Sequence, residues 1–191
     1  MIVLHIDTQE DTHVLTSLYD GLSNTKVFVN PTRDEIESVL SENRTETLMC
    51  CGHGSQFGLF GFRDEYIIDG KNVDLLKGRD VIGIWCYASL FAEKHKLRGF
   101  FTYMFISNPT ECGWYNMNDG EDYDFCNMQN VKFSQQVNVF VKNSVPLNEW
   151  VDKFVHDDFD FVNYNYAHLS YFDGNGGGNN IEFVINENNK T

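Results

Sequence analysis

His53, in Gly52-His53-Gly54-Ser55, and Cys86, in Cys86-Tyr87-Ala88-Ser89, stand 33 positions apart and could do chemistry together. A free thiol is only a few per cent thiolate at neutral pH, so a cysteine becomes an effective nucleophile beside an imidazole or a helix amino terminus. Both are expected at Cys86: His53 supplies the imidazole, and a helix is predicted over residues 88–97, directly after the cysteine. The backbone N–H groups of Gly54 and Cys86 could meet an oxyanion forming on an attacked carbonyl, and Gly54 has no side chain to obstruct it.

Two apolar runs must position these side chains. Thr47-Leu48-Met49-Cys50-Cys51 precedes Gly52-His53, and Val81-Ile82-Gly83-Ile84-Trp85 precedes Cys86. Continuous apolar runs of this length, bounded by Gly, Ser or Arg-Asp, are predicted to be strands of a sheet covered on both faces. The separation leaves room for one crossover, which brings the carboxyl ends of neighbouring parallel strands to the same edge. That edge is where α/β sheets bind and react.

An apolar strand ending in His-Gly, followed by a second ending in Cys, resembles the caspase-type cysteine peptidases, a group that includes caspases, gingipains, clostripain, separases and the CHAT peptidases. Gly52-His53-Gly54-Ser55 and Cys86-Tyr87-Ala88-Ser89 carry the resemblance, which covers roughly residues 1–107. It implies a His53–Cys86 dyad, a small hairpin after His-Gly, and a loop after the first strand that contributes to the pocket for the residue preceding the cleaved bond. That loop holds Asp7, Glu10 and Asp11, which implies a substrate with a basic residue there. Caspases carry Gln-Ala-Cys at the nucleophile where this chain has Ile84-Trp85-Cys86, so aspartate specificity is not implied.

Blander readings stand beside these. A cysteine closing a buried strand serves more often as a small core residue, and a histidine after a strand as a loop donor. Asp7 could cap the following helix, as could Thr8 or Asp11. Sulfur with imidazole also suits zinc, which would recruit Cys50, Cys51, His53 and Cys86. Adjacent residues of one strand point to opposite faces, so Cys50 and Cys51 argue against that set. No metal or cofactor is therefore expected.

Acidic residues outnumber basic ones 28 to 14, and the formal charge of −14 disfavours nucleic acid and anionic membrane surfaces while favouring a cationic peptide or protein partner. With 42% hydrophobic and 15% aromatic residues, the 191-residue chain is predicted to fold as one domain. The first residues lack the pattern of a signal peptide, and no apolar stretch approaches the ~20 residues of a membrane span. An odd count of five cysteines suits reduced thiols, so a cytoplasmic location is expected.

In chain order, strands are predicted over residues 1–7 and 26–29, with a helical stripe through Leu15, Leu18 and Leu22 between them. Thr32 and Glu35 form a capping box before the next helix. After the His53 strand come a hairpin over residues 57–68, a short helix over 72–76, the Cys86 strand, its helix, and a strand over 100–106. Residues 110–127 read as an acidic, aromatic loop that either walls the cleft or lies in solvent. Gly120 lacks the ligand pattern of an EF-hand before it. Helices are predicted around residues 133–141 and 147–155. The aromatic run 159–172 packs as core or forms a partner surface, and an edge strand is predicted over 181–185 after the flexible segment containing Gly176-Gly177-Gly178.

The alternation predicts an α/β three-layer sandwich with a mostly parallel sheet ordered about 2-1-3-4-5. Residues 1–107 would form the core sheet with the candidate site residues, and 108–191 the loop, helices and tail packed on it, giving a helical C-terminal part. The predicted function is a cysteine endopeptidase in which Cys86 attacks and His53 protonates the leaving amine, cleaving after a basic residue. The alternative is a binding or adaptor protein that keeps the fold without turnover.

Overall fold

The computed structural model describes residues 1–63, 65–117, 122–154 and 158–175, with the side chain of Glu10 outside that description. Six strands form the main sheet: β1 (Ile2–His5), β2 (Lys26–Val29), β3 (Leu48–Cys51), β7 (Asp80–Ile84), β8 (Arg98–Phe101) and β9 (Ser170–Asp173). They lie in the order β2-β1-β3-β7-β8-β9, every neighbouring pair parallel except β8 with β9. Ile2 pairs with Leu48, and Leu48 with Val81, so β1, β3 and β7 run level and end together. Three short strands, β4 (Gly54–Ser55), β5 (Gly58–Phe60) and β6 (Tyr66–Asp69), make a separate antiparallel sheet directly after His53.

Both faces of the main sheet are covered, because alternate residues of each central strand enter different cores. Leu4, Leu48, Cys50 and Val81 join the core shared with helices α2 (Arg33–Glu42) and α3 (Ala88–His95). Val3, Met49, Cys51 and Ile82 join the core shared with α5 (Tyr123–Lys142). The Thr32 and Glu35 capping box forms: Glu35 N–H donates to Thr32 Oγ1 at 3.3 Å, and Thr32 N–H to Glu35 Oε2 at 2.8 Å. Arg33 then reaches across to the small sheet and grips both oxygens of Asp69 at 2.7 and 3.0 Å. No described helix is long and apolar enough to cross a membrane.

Several elements differ from the sequence reading. The stripe at Leu15 and Leu18 belongs to a short helix α1 (Glu10–His13) continued as a 3-10 turn, Val14–Leu18. Strand β8 stops at Phe101, short of the predicted 106: Thr102 N–H still bonds Gly83 O as the last rung to β7, but Thr102 Oγ1 then donates to Trp85 O and Ile106 N–H to the Asn165 side chain. Residues 110–127 are not a continuous loop: Asn108 caps α4 (Pro109–Trp114), with Pro109 as its first residue, and α5 begins at Tyr123. The predicted helix over 147–155 shrinks to a 3-10 turn, Leu147–Glu149, and α6 (Trp150–Lys153). The aromatic run divides into α7 (Asp160–Ala167) and β9, which pairs with β8, so the main sheet takes a strand from beyond residue 107. The expected strand over 181–185, the Gly176–178 segment and Gly120 lie outside the described residues.

Candidate active site

The level ends of β1, β3 and β7 open onto one cavity of about 30 Å³, lined by Asp11, His53, Trp85, Cys86 and Ser107 among others. That volume holds one or two waters. Gly52 leads out of β3 with φ of +141°, and its N–H donates to Ile84 O at 3.1 Å, tying the His53 loop to the end of β7. A Cβ at Gly52 would stand 2.8 Å from Ile6 Cβ, so only glycine lets the chain turn here. His53 follows, 35% exposed, and its Nε2 lies 3.5 Å from Asp11 Oδ1.

Cys86 sits two residues beyond β7, before Tyr87, whose φ of +65° is uncommon for a bulky residue. Tyr87 N–H is committed to Tyr103 O at 2.9 Å, which fixes the bend between β7 and α3. Cys86 keeps some exposed surface, and its Sγ lies 3.8 Å from Phe105 O. Protein nevertheless crowds the thiol: burial first, then the Glu111 carboxylate, push it up to about 12, with only the Phe105 contact opposing. The lowered thiol expected from an imidazole and a helix terminus is therefore absent in this arrangement, because desolvation and neighbouring negative charge dominate.

The acids are distributed differently from the sequence reading. Asp11, the acid of the loop after β1 that lines the cavity, faces His53, and its Oδ2 accepts from Ser107 Oγ at 3.2 Å. Burial pushes the Asp11 carboxyl up, but His53, Ser107 and Asn108 outweigh it and hold the group below the usual carboxylate range. Asp7 is not among the cavity-lining residues: its Oδ2 lies 2.9 Å from His13 Nδ1, and its backbone exchanges hydrogen bonds with the Asn30 side chain. Glu10 opens α1, and its side chain lies outside the description.

Gly54 starts the small sheet. Phe60 N–H donates to His53 O at 3.0 Å, so His53–Phe60 is a hydrogen-bonded pair and Gly54–Leu59 a non-bonded one. Gly54 N–H consequently points away from β5, at the open edge of that sheet. Trp85 packs on the glycine and donates from Nε1 to Ser55 O at 3.2 Å. Among the described residues, Cys86 N–H donates to no backbone acceptor.

Ser107 and Glu111 were not singled out from the sequence. Glu111 Oε2 accepts from Ser107 N–H at 2.7 Å and Ser107 Oγ at 3.0 Å, beside Asp11 and Cys86. Burial pushes the Glu111 carboxyl above the usual range, although its bonds from Ser107 oppose this. The available signal was Asn108-Pro109 with an acid two residues later, the start of a capped helix. Cys50 and Cys51 enter opposite cores and cannot join His53 and Cys86 around one ion.

No family model, curated protein or solved structure matches the chain.

Proposed function

We propose that the chain is a cysteine peptidase of the caspase-like type, with Cys86 as nucleophile, His53 as general acid and base, and Asp11 as the group that orients His53. One observation carries this reading: His53 and Cys86, from the ends of adjacent parallel strands, line one cavity in which a carboxylate lies 3.5 Å from the imidazole. Reactive groups gathered at the carboxyl edge of such a sheet are the usual basis of its chemistry. The hairpin after His-Gly accords with the resemblance.

In this mechanism Cys86 gives its proton to His53, and Sγ bonds to the scissile carbonyl carbon. The oxyanion is met by the N–H groups of Gly54 and Cys86. His53 passes the proton to the leaving amine as the C–N bond breaks, leaving a thioester. Water, losing a proton to His53, then cleaves the thioester to release the acid and restore the thiol. An odd count of five cysteines accords with work in a reducing cytoplasm.

A second reading, an adaptor that binds peptides without turnover, is favoured by one observation. The thiol stands at about 12 in a cavity of about 30 Å³, too tight for a scissile bond without rearrangement. A thiol-directed peptidyl affinity label separates the two. Modification of Cys86 that is lost in His53→Ala supports the peptidase, and absence of labelling while peptides still bind supports the adaptor.

A further inference from the structure

Beside the Cys86 cavity lies a second, open groove of about 400 Å³, and Asp11 lines both. It is lined by Trp114 and Tyr123, which are 69% and 58% exposed, and by Glu111, Asn108 and Asn127 among others. Two large aromatic side chains left to water in one groove with a carboxylate form an uncommon combination. It matches one kind of guest: a long alkyl chain ending in a cation, which would cover the rings and place its charge against the acid.

We infer that this groove between α1, α4 and the start of α5 is the specificity subsite of the cleft, taking an arginine or lysine side chain of a peptide with Glu111 as counter-ion and Trp114 and Tyr123 as walls. This rests on the reading of the Cys86 cleft as a thiol-peptidase site. It moves the recognition of a basic residue from Asp7, whose carboxylate is engaged by His13, to a different segment of the chain.

Charge supports the assignment. Glu111 and Asp11 repel each other, and both disfavour ionisation of Cys86. A guest cation in the groove opposes all three effects at once, so docking of a basic side chain eases formation of the thiolate. Neutral peptides would meet the same cleft without that help.

The test uses two bromoacetamides, one carrying a butylguanidinium tail and the other an uncharged alkyl tail of equal length. In each reaction Cys86 Sγ forms a bond to the methylene carbon, the C–Br bond breaks, bromide leaves, and the thiol proton goes to solvent. Modification of Cys86 is followed by mass spectrometry on the full chain, with folding of every variant checked by thermal melting. The charged reagent is expected to react about tenfold faster in the wild type, a ratio that falls towards one in Glu111→Gln and drops in Trp114→Ala and Tyr123→Ala. Glu42→Gln removes one exposed charge from the far end of α2 and should leave the ratio intact.

A wild-type ratio near one, a ratio unchanged by Glu111→Gln, or an equal drop in Glu42→Gln overturns the inference, the last because general steering by net charge would then explain it. Peptide cleavage separates this from the underlying reading. Hydrolysis of Arg, Lys and Leu peptides at equal rates removes the subsite and keeps the peptidase. Groove-dependent labelling without cleavage keeps the subsite and removes the peptidase.

Discussion

His53 Nε2 lies 3.5 Å from Asp11 Oδ1, joining the loop after β3 to helix α1, which follows β1. The contact follows from register. His5 pairs with Cys51, so the two strands end side by side and the loops beyond them must meet. In the proposed mechanism this carboxylate orients the imidazole that takes the Cys86 proton.

Asp11→Asn keeps the size of the side chain and removes its charge. The expected outcome is a fall in kcat on the order of 100-fold, as the imidazole loses its alignment, with Cys86 still modified by a small alkylating agent. Steady-state kinetics with parallel alkylation of the same preparation checks this. An unchanged kcat would take Asp11 out of the mechanism.

Cys86 in the resting protein should react slowly with neutral reagents. With the thiol at about 12, the thiolate fraction grows tenfold per pH unit throughout the neutral and mildly alkaline range. The rate of iodoacetamide modification at Cys86, mapped by mass spectrometry, should therefore keep climbing with pH. A plateau near neutral pH would show that the thiolate already dominates there, contrary to this geometry.

Gly54→Ala introduces a Cβ that would stand 2.3 Å from Trp85 Cδ1 and 2.7 Å from Gly58 O. Relief requires moving the indole or the hairpin, at a cost of about 1–3 kcal/mol. For a chain of this length the melting temperature should fall by roughly 2–10 °C. An unaltered melt would mean that Trp85 moves aside freely.

Glu111 should weaken the fold at neutral pH. Its carboxyl is raised by burial, so the native state holds a proton that the unfolded state has lost, and stability falls as pH rises from the ordinary glutamate range through the raised value. Glu111→Gln should therefore melt at higher temperature than wild type at neutral pH, and the two should converge below the ordinary glutamate range. Equal melting temperatures at neutral pH would contradict the assignment.

The strands that carry the site were legible because burial on both faces leaves unbroken apolar runs, as in Leu48-Met49-Cys50-Cys51. The α2 start was legible because Thr32 and Glu35 act locally. Asp11 was noticed as part of the loop after β1, but its approach to His53, 42 positions later, is a contact between two loops that no local pattern records. Strand β9 was hidden because Phe and Tyr suit both a buried helix and a strand, and its pairing partner Arg98–Phe101 lies some 70 residues earlier in the chain. Glu111 and Ser107 meet Cys86 through contacts distant in sequence, which no local pattern records.

The most direct measurement of the central claim is cleavage of an unbiased peptide library by the wild type, His53→Ala and Cys86→Ala, with products identified by mass spectrometry. Cys86→Ala removes one partly exposed sulfur and should fold normally. The account predicts products from the wild type, none from Cys86→Ala, and a rate reduced by about 10²–10⁴ in His53→Ala. The same products at the same rate from folded Cys86→Ala, or no products from the wild type, would contradict it.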